Sequence, residues 1–355
     1  MATLSGIDFG QNGKQFGQLE ISHSTHRSAY GKIMIPVIFL RNGDGPRALI
    51  SAGVHGDEYE GQITVRKLAH DLLAEDISGS LILLPAANVL SVEDARRTSR
   101  VDGGNLNRLF PGDISGQPTE MIAYAIEHLL LAECDFAYDI HSGGSSLLYD
   151  ALAVTTETGN AQDDASRLDM LRSLGISFGI VLPASSPMGL NASLDGAMLR
   201  QNVIGVSAEF GGAGTISARS LSRCQNSVHQ FLAHCGLVQN PTPALNAQHC
   251  DLFDVTHPEA HVYAGLRGLI EPRVYVGDTV QPGDLLGVIY PLDDCESLPV
   301  SVNSGMNGTV LCNRPMPLVQ KGDCLFQIGQ KLAAQNHTLD ADDPPVDSAA
   351  PAHCK

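Results

Sequence analysis

Apolar residues fall along this chain in two rhythms. Over residues 33–40 the run Ile-Met-Ile-Pro-Val-Ile-Phe-Leu is apolar and rich in β-branched side chains, which predicts a strand. Asn42-Gly-Asp-Gly-Pro46 supplies turn residues, and Ala48-Leu-Ile-Ser-Ala-Gly-Val54 predicts a second, buried strand. Helical spacing takes over across residues 58–74, where Ile63, Val65, Leu68, Leu72 and Leu73 recur on one face. Leu81-Ile-Leu-Leu84 is a further apolar run closed by Pro85. A helix is predicted over 120–134 with Thr119 as its N-cap. Residues 136–140 and 203–208 read as later strands.

Strands alternating with helices predict an α/β fold with a mixed, mainly parallel sheet covered by helices on both faces. In such sheets ligands sit beyond the carboxyl ends of the strands, so the residues that follow each strand carry the most information. Near residue 240 the pattern changes. Asn240-Pro-Thr-Pro-Ala-Leu245 has the composition of a linker, and short β-like runs with Gly/Asp turns follow at 274–280, 283–289 and 308–311. The expected organisation is an α/β domain over 1–243, a β-rich module over 244–330 and a disordered, Ala/Asp/Pro-rich tail over 331–355. The Gly277-Asp-Thr-Val-Gln-Pro-Gly-Asp284 turn resembles those of biotinyl/lipoyl-type barrel sandwiches. A carrier of that type needs a lysine at a hairpin tip, and Asn303-Ser-Gly-Met-Asn-Gly308 offers none.

The chain has 355 residues, with 39 Asp+Glu against 22 Lys+Arg and a formal charge of −17. That balance disfavours nucleic acid and anionic membrane surfaces as partners. Neither a signal peptide nor an apolar run of membrane-spanning length is visible, so a cytoplasmic protein is expected. Eight scattered cysteines without a C-x-x-C pair fit reduced thiols better than a disulfide framework.

Thirteen histidines raise the question of a metal. His55-Gly-Asp-Glu58 closes the 48–54 strand, and a His and a Glu three apart at a strand-to-helix junction can reach one ion from the same side. Taken by itself, that spacing is equally met by a surface histidine beside an acidic helix start. His141 adds a second imidazole at the end of the 136–140 strand, within Asp139-Ile-His-Ser-Gly-Gly144. His, Glu and His with a position left for water is the donor set of an open catalytic zinc site. Asp57 and Asp139 are candidates to orient the imidazoles. His23-Ser-Thr-His26 and His257-Pro-Glu-Ala-His261 have ligand-like spacing too, but lie away from these strand ends.

Residues 96–108 hold Arg96, Arg97, Arg100 and Arg108 and no lysine. Guanidinium forks suit carboxylates and developing oxyanions. For Arg96 and Arg97 a solvated loop balancing Glu93, Asp94 and Asp102 serves equally well. Glu209 ends the 203–208 run and precedes Phe210-Gly-Gly-Ala-Gly214, which makes it a candidate general base.

His55-Gly-Asp-Glu-Tyr-Glu-Gly61, Arg100-Val-Asp-Gly-Gly-Asn-Leu-Asn-Arg108, Asp139-Ile-His141 and Ala208-Glu-Phe-Gly-Gly212 together resemble the succinylglutamate desuccinylase/aspartoacylase family. The resemblance runs from about residue 29 to 330. Ser28-Ala-Tyr-Gly-Lys-Ile-Met-Ile-Pro36, His141-Ser-Gly-Gly144 and Gly214-Thr-Ile-Ser-Ala-Arg-Ser220 are most similar to its branch that deacetylates N-α-acetyl-2,4-diaminobutyrate in ectoine breakdown. It implies a zinc carboxypeptidase-like fold and one Zn²⁺ per chain on His55, Glu58 and His141. It further implies Glu209 as general base, Arg100 as polariser of the scissile carbonyl, and Asn107 with Arg108 as the clamp for the substrate carboxylate. Asn105 departs from the Asp of aspartoacylases proper. A small N-acyl amino acid is the implied substrate and a homo-oligomer the implied assembly. N-acetylaspartate, an N-succinylated amino acid or a small peptide are the alternative substrates. Diaminobutyrate would require a carboxylate for its cationic side chain, and Asp150 and Glu271 are the candidates.

Overall fold

The computed structural model describes residues 2–183, 190–238, 250–293 and 295–333. The proposed linker at 240–245, the 243/244 boundary and the tail beyond 333 lie outside these residues. The fold is mixed α/β, built on a 14-stranded sheet and a separate 4-stranded sheet.

The strands are β1 (Ala2–Ser5), β2 (Gly13–Ser22), β3 (Lys32–Asn42), β4 (Arg47–Ala52), β5 (Gly79–Leu84), β6 (Phe136–His141), β7 (Leu148–Thr156), β8 (Phe178–Leu182) and β9 (Ile204–Gly212). The helices are α1 (Tyr59–Asp71), α2 (Val89–Val92), α3 (Pro118–Ala125), α4 (Ala161–Ser173), α5 (Leu194–Arg200) and α6 (Ala218–His234). After residue 250 come β10 (Asp251–Asp254), β11 (His261–Tyr263), β12 (Gly268–Pro272), β13 (Thr279–Val280), β14 (Leu285–Pro291), β15 (Val300–Asn303), β16 (Gly308–Asn313), β17 (Leu318–Val319) and β18 (Cys324–Lys331).

At the centre, β5, β4, β6 and β9 pair in parallel, as strand–helix alternation requires. Their residues are buried on both faces, which explains why β4 and β5 read as unbroken apolar runs. One face packs α1, α4 and α6 through Val65, Leu68, Met170, Leu171, Val228 and Phe231. The other receives α3 and α5 through Met121, Ile122, Leu194 and Met198.

The flanks are antiparallel, so the sheet is less parallel than the sequence pattern implies. No helix separates β1, β2 and β3, and they form a meander that reaches β5 through β3. Along β3, Ile33 and Ile35 are buried and Met34 is exposed, the alternation of a half-solvated strand. On the other side, β9 pairs antiparallel with β7. The C-terminal strands extend the same sheet, since β10 pairs with β8 and β16 with β7. Strands β15, β14, β12 and β17 form the smaller sheet. Of the predicted 274–280 strand, only Thr279–Val280 lie in a strand.

The helix predicted at 120–134 begins earlier, with Pro118 in its first turn and Gln117 at the N-cap. Thr119 does not cap it. Its N–H and hydroxyl instead donate to Asp102 at 2.7 and 2.8 Å. Past Ala125 the coil loosens into a π turn over Ile126–Leu130 and a 3₁₀ turn over Leu131–Glu133. Among the described residues, seven cysteines are free, and no helix is long and apolar enough to cross a membrane.

Candidate metal centre

Three chain segments converge where β4 and β6 end beside β9. The β4 strand runs into His55-Gly-Asp-Glu58, and Glu58 is the N-cap residue of α1. A carboxylate there ordinarily accepts a helix N–H. The Glu58 side chain makes no such bond and reaches sideways to two imidazoles. Its Oε1 lies 2.7 Å from His55 Nδ1 and its Oε2 2.8 Å from His141 Nδ1. Gly56 makes the tight path possible, because a Cβ there would fall 1.9 Å from the Ser91 carbonyl oxygen.

His141 ends β6 and lies in register with Glu209 on β9. Side chains alternate along a strand, so Asp139 and His141 share a face. Asp139 Oδ2 accepts from His141 Nε2 at 2.7 Å. Asn105 Oδ1 accepts from His55 Nε2 at 3.1 Å and also from the backbone N–H of Asn107, which identifies it as the oxygen of that amide. Both outer ring nitrogens are thereby held as donors, and both Nδ1 atoms turn inward as potential ligands. Asp57, the other candidate for that orienting role, instead accepts from Ser145 N and Oγ, each at 2.8 Å, and ties down the loop after β6. Asn105 takes the role that Asp57 does not.

The donor atoms of His55, Glu58 and His141 lie within 4.8 Å of one another, and theirs is the one group of three potential metal donors among the described residues. All three residues are buried. Burial works to raise the Glu58 carboxyl, but His55 and His141 outweigh it and hold it well below the usual carboxylate range. For His141, burial favours the neutral ring, but Asp139 and Glu58 outweigh it and push its pKa well above the ordinary value. Two imidazoles and a carboxylate drawn together in this way fit a divalent cation that replaces the protons between them.

Glu209 is half-buried, with Oε2 sealed from solvent and without a partner. Burial, then the charge of Glu58, pushes its carboxyl up to about 8. Asp139 Oδ1 and Ser51 Oγ are also sealed and unpaired. Orphaned polar atoms gathered at one place mark a site built for a ligand rather than for stability.

The arginines of the 96–108 loop face different ways. Arg100 is 73% exposed and pairs with Asp94 at 3.0 Å, away from the cluster. Arg97 is the arginine that approaches the cluster. Its Nη1 lies 3.4 Å from His55 Nδ1 and 3.6 Å from Glu58 Oε1. Asn107 Oδ1 accepts from the Leu194 N–H at 2.9 Å, which leaves its Nδ2 as a free donor, and Arg108 Nη1 donates to the Asn107 carbonyl at 2.7 Å. Burial, then the charge of Arg97, lowers the Arg108 pKa, as expected of a cation waiting for an anion.

The remaining histidine pairs do not assemble a site. His257 Nδ1 accepts from the Glu259 N–H, and His261 lies against Gln327. His23 and His26 join no group of metal donors. Asp150 is committed to Arg219 and Arg223, and Glu271 to Tyr290 and Arg273 on the smaller sheet.

The profile of the succinylglutamate desuccinylase/aspartoacylase catalytic domain matches residues 44–235, a stretch that contains every residue of this centre. The chain belongs to that family. A curated relative from Halomonas elongata, N-alpha-acetyl-L-2,4-diaminobutyric acid deacetylase, is 34% identical over 91% of this chain and 94% of its own. Among solved structures, the product-bound ectoine utilization protein EutE (DoeB) from Ruegeria pomeroyi superposes with a TM-score of 0.87 at 31% identity, covering 93% of this chain and 98% of that one. The succinylglutamate desuccinylase/aspartoacylase from Rhodobacter sphaeroides gives 0.86 at 28% identity, over 92% and 98%. Within this family fold, Arg97 and Asp195 are the neighbours of the centre that sequence reasoning left unassigned. The arginine spacing alone could not say which guanidinium turns inward. An Asp at a helix start gave no signal at all.

Proposed function

We propose that the chain is a zinc-dependent deacylase of small N-acyl amino acids, acting on N-α-acetyl-L-2,4-diaminobutyrate in ectoine breakdown. The observation that carries this reading is the convergence of His55, Glu58 and His141, with Glu209 in register beside His141. The similarity to the Halomonas deacetylase supports the choice of acyl amino acid.

His55, Glu58 and His141 would hold one Zn²⁺, which when bound supplies a Lewis acid for a water and an acyl oxygen. Glu209 takes a proton from the attacking water and returns it to the departing nitrogen, so the C–N bond breaks to acetate and a free amine. Arg97 donates to the carbonyl oxygen as negative charge develops there, in the role that the family resemblance assigns to Arg100. Asn107 Nδ2 and Arg108 receive the α-carboxylate of the substrate. Asp139 and Asn105 keep the imidazoles in the orientation the chemistry needs.

The test is a comparison of kcat/KM for the zinc-loaded protein across N-α-acetyl-2,4-diaminobutyrate, N-acetylaspartate, N-succinylglutamate and small peptides. Acetyl-diaminobutyrate is expected to lead by about tenfold or more, a gap of about 1.4 kcal/mol. A lead for peptides would make the protein a carboxypeptidase, and a lead for N-acetylaspartate would move it to another deacylase.

A further inference from the structure

A substrate with a cationic side chain leaves one group unassigned, the carboxylate that receives the ammonium. We propose that Asp195 is that group and sets the preference of the site for an amino acid with a positively charged side chain. The inference rests on the deacylase reading given above and names the residue that would select the substrate within it.

Asp195 is the second residue of α5, whose N-cap is already supplied by Ser193 through the Gly196 N–H at 3.2 Å. Helix capping therefore does not account for it. Its side chain accepts from Ser207 Oγ. Ser207 lies two residues before Glu209 on β9, so both side chains project from the same face. Across the pairing, Ser207 stands beside Asp139, the partner of His141. On the other side, the N–H of the adjacent Leu194 is fixed on Asn107 Oδ1 at 2.9 Å. Asp195 is thus held between the turn proposed to grip the α-carboxylate and the strand proposed to supply the base. Its charge is felt by both Arg108 and His141. The ammonium of diaminobutyrate is two carbons from Cα, and a substrate gripped at one end by Arg108 would carry that ammonium into this neighbourhood.

Charge accounting favours the same residue. Asp139 is spent on His141, Asp57 on Ser145, Glu60 on Ser220 and Glu127 on Arg200. Asp150 and Glu271 already have arginine partners. Among the described residues no cation lies within ion-pair distance of Asp195, although burial disfavours its charged form. A half-desolvated carboxylate without a counterion is costly to maintain, and a ligand ammonium removes that cost. Ser207 holds one oxygen of the Asp195 carboxylate in place, and a carboxylate with its several lone pairs can accept from a ligand ammonium as well.

The experiment compares wild type with Asp195→Asn, both zinc-loaded. It measures kcat/KM for N-α-acetyl-2,4-diaminobutyrate and for N-acetyl-2-aminobutyrate, which lacks only the amine. Calorimetric binding of free 2,4-diaminobutyrate and 2-aminobutyrate provides a readout independent of turnover. The wild-type preference for the amine-bearing compounds should shrink by about 30-fold in the variant, mainly through KM and the dissociation constant. A preference that survives Asp195→Asn overturns the assignment and leaves the deacetylase reading standing. A variant in which both compounds lose equally also overturns it, because that is the signature of structural damage. A wild type that shows no preference for the amine refutes the diaminobutyrate reading, and this inference with it. If Asp195→Asn does not fold, Ser207→Ala takes its place, with an expected loss of preference of about 3-fold or more.

Discussion

Glu58 stands where a carboxylate would ordinarily steady the first turn of a helix, and it binds two imidazoles instead. Glu209 is likewise held at a cost, with one oxygen sealed and unpaired. Its carboxyl, pushed up to about 8 by burial and by Glu58, lies above the value of about 4.3 for an unfolded chain. In the metal-free protein the native state therefore keeps a proton that the unfolded state has lost, and stability falls as pH rises through about 8. Glu209→Gln removes that dependence. Thermal melts of the chelated proteins should show the variant gaining on wild type between pH 5 and pH 8.5, and a constant difference would contradict this. The two arginines separate at the same scale. Arg97→Ala should lower kcat by about 100-fold or more, whereas Arg100→Ala, which removes an exposed pair with Asp94, should change it by less than about threefold. The reverse ranking in steady-state kinetics would return the role to Arg100. His141 could be picked out in sequence because it ends β6, and His55 and Glu209 because each follows an apolar run. Which arginine turns inward depends on loop geometry, and that has no periodicity to read.

Asp102 ties the loop over residues 96–108 to the start of α3. Asp102 accepts from the Gly104 N–H at 3.0 Å and from both donors of Thr119. This places Asn105, Asn107 and Arg108 against the centre. Asp102→Ala should cost about 1–2 kcal/mol of stability in denaturant unfolding and raise KM more than it lowers kcat. An unchanged KM would show that the loop keeps its place without the tether. The element boundaries were readable to within a few residues, and the misreading of Thr119 has a physical cause. Its N–H and hydroxyl both donate to Asp102, 17 residues away in sequence, a pairing that leaves no local pattern to read.

At the scale of the whole molecule, an acidic chain of net charge −17 sets two arginines, Arg97 and Arg108, beside its cluster of carboxylates and imidazoles. Arg97 and Arg108 are close enough for each to be felt by the other, which costs energy in the empty site and favours a small anion. The central parallel strands were legible from strand–helix alternation. The joining of β10 and β16 to β8 and β7 was not, because these pairings link distant parts of the chain that carry no shared local pattern. What this architecture achieves is to bring the proposed metal site, base and carboxylate clamp together beside three adjacent parallel strands. The most direct test is the turnover of N-α-acetyl-2,4-diaminobutyrate by Glu209→Gln at measured zinc content. The expected result is a loss in kcat of about 1,000-fold or more with zinc still near one per chain. Turnover within about tenfold of wild type at full zinc occupancy would contradict the assignment of Glu209, and with it the proposed chemistry.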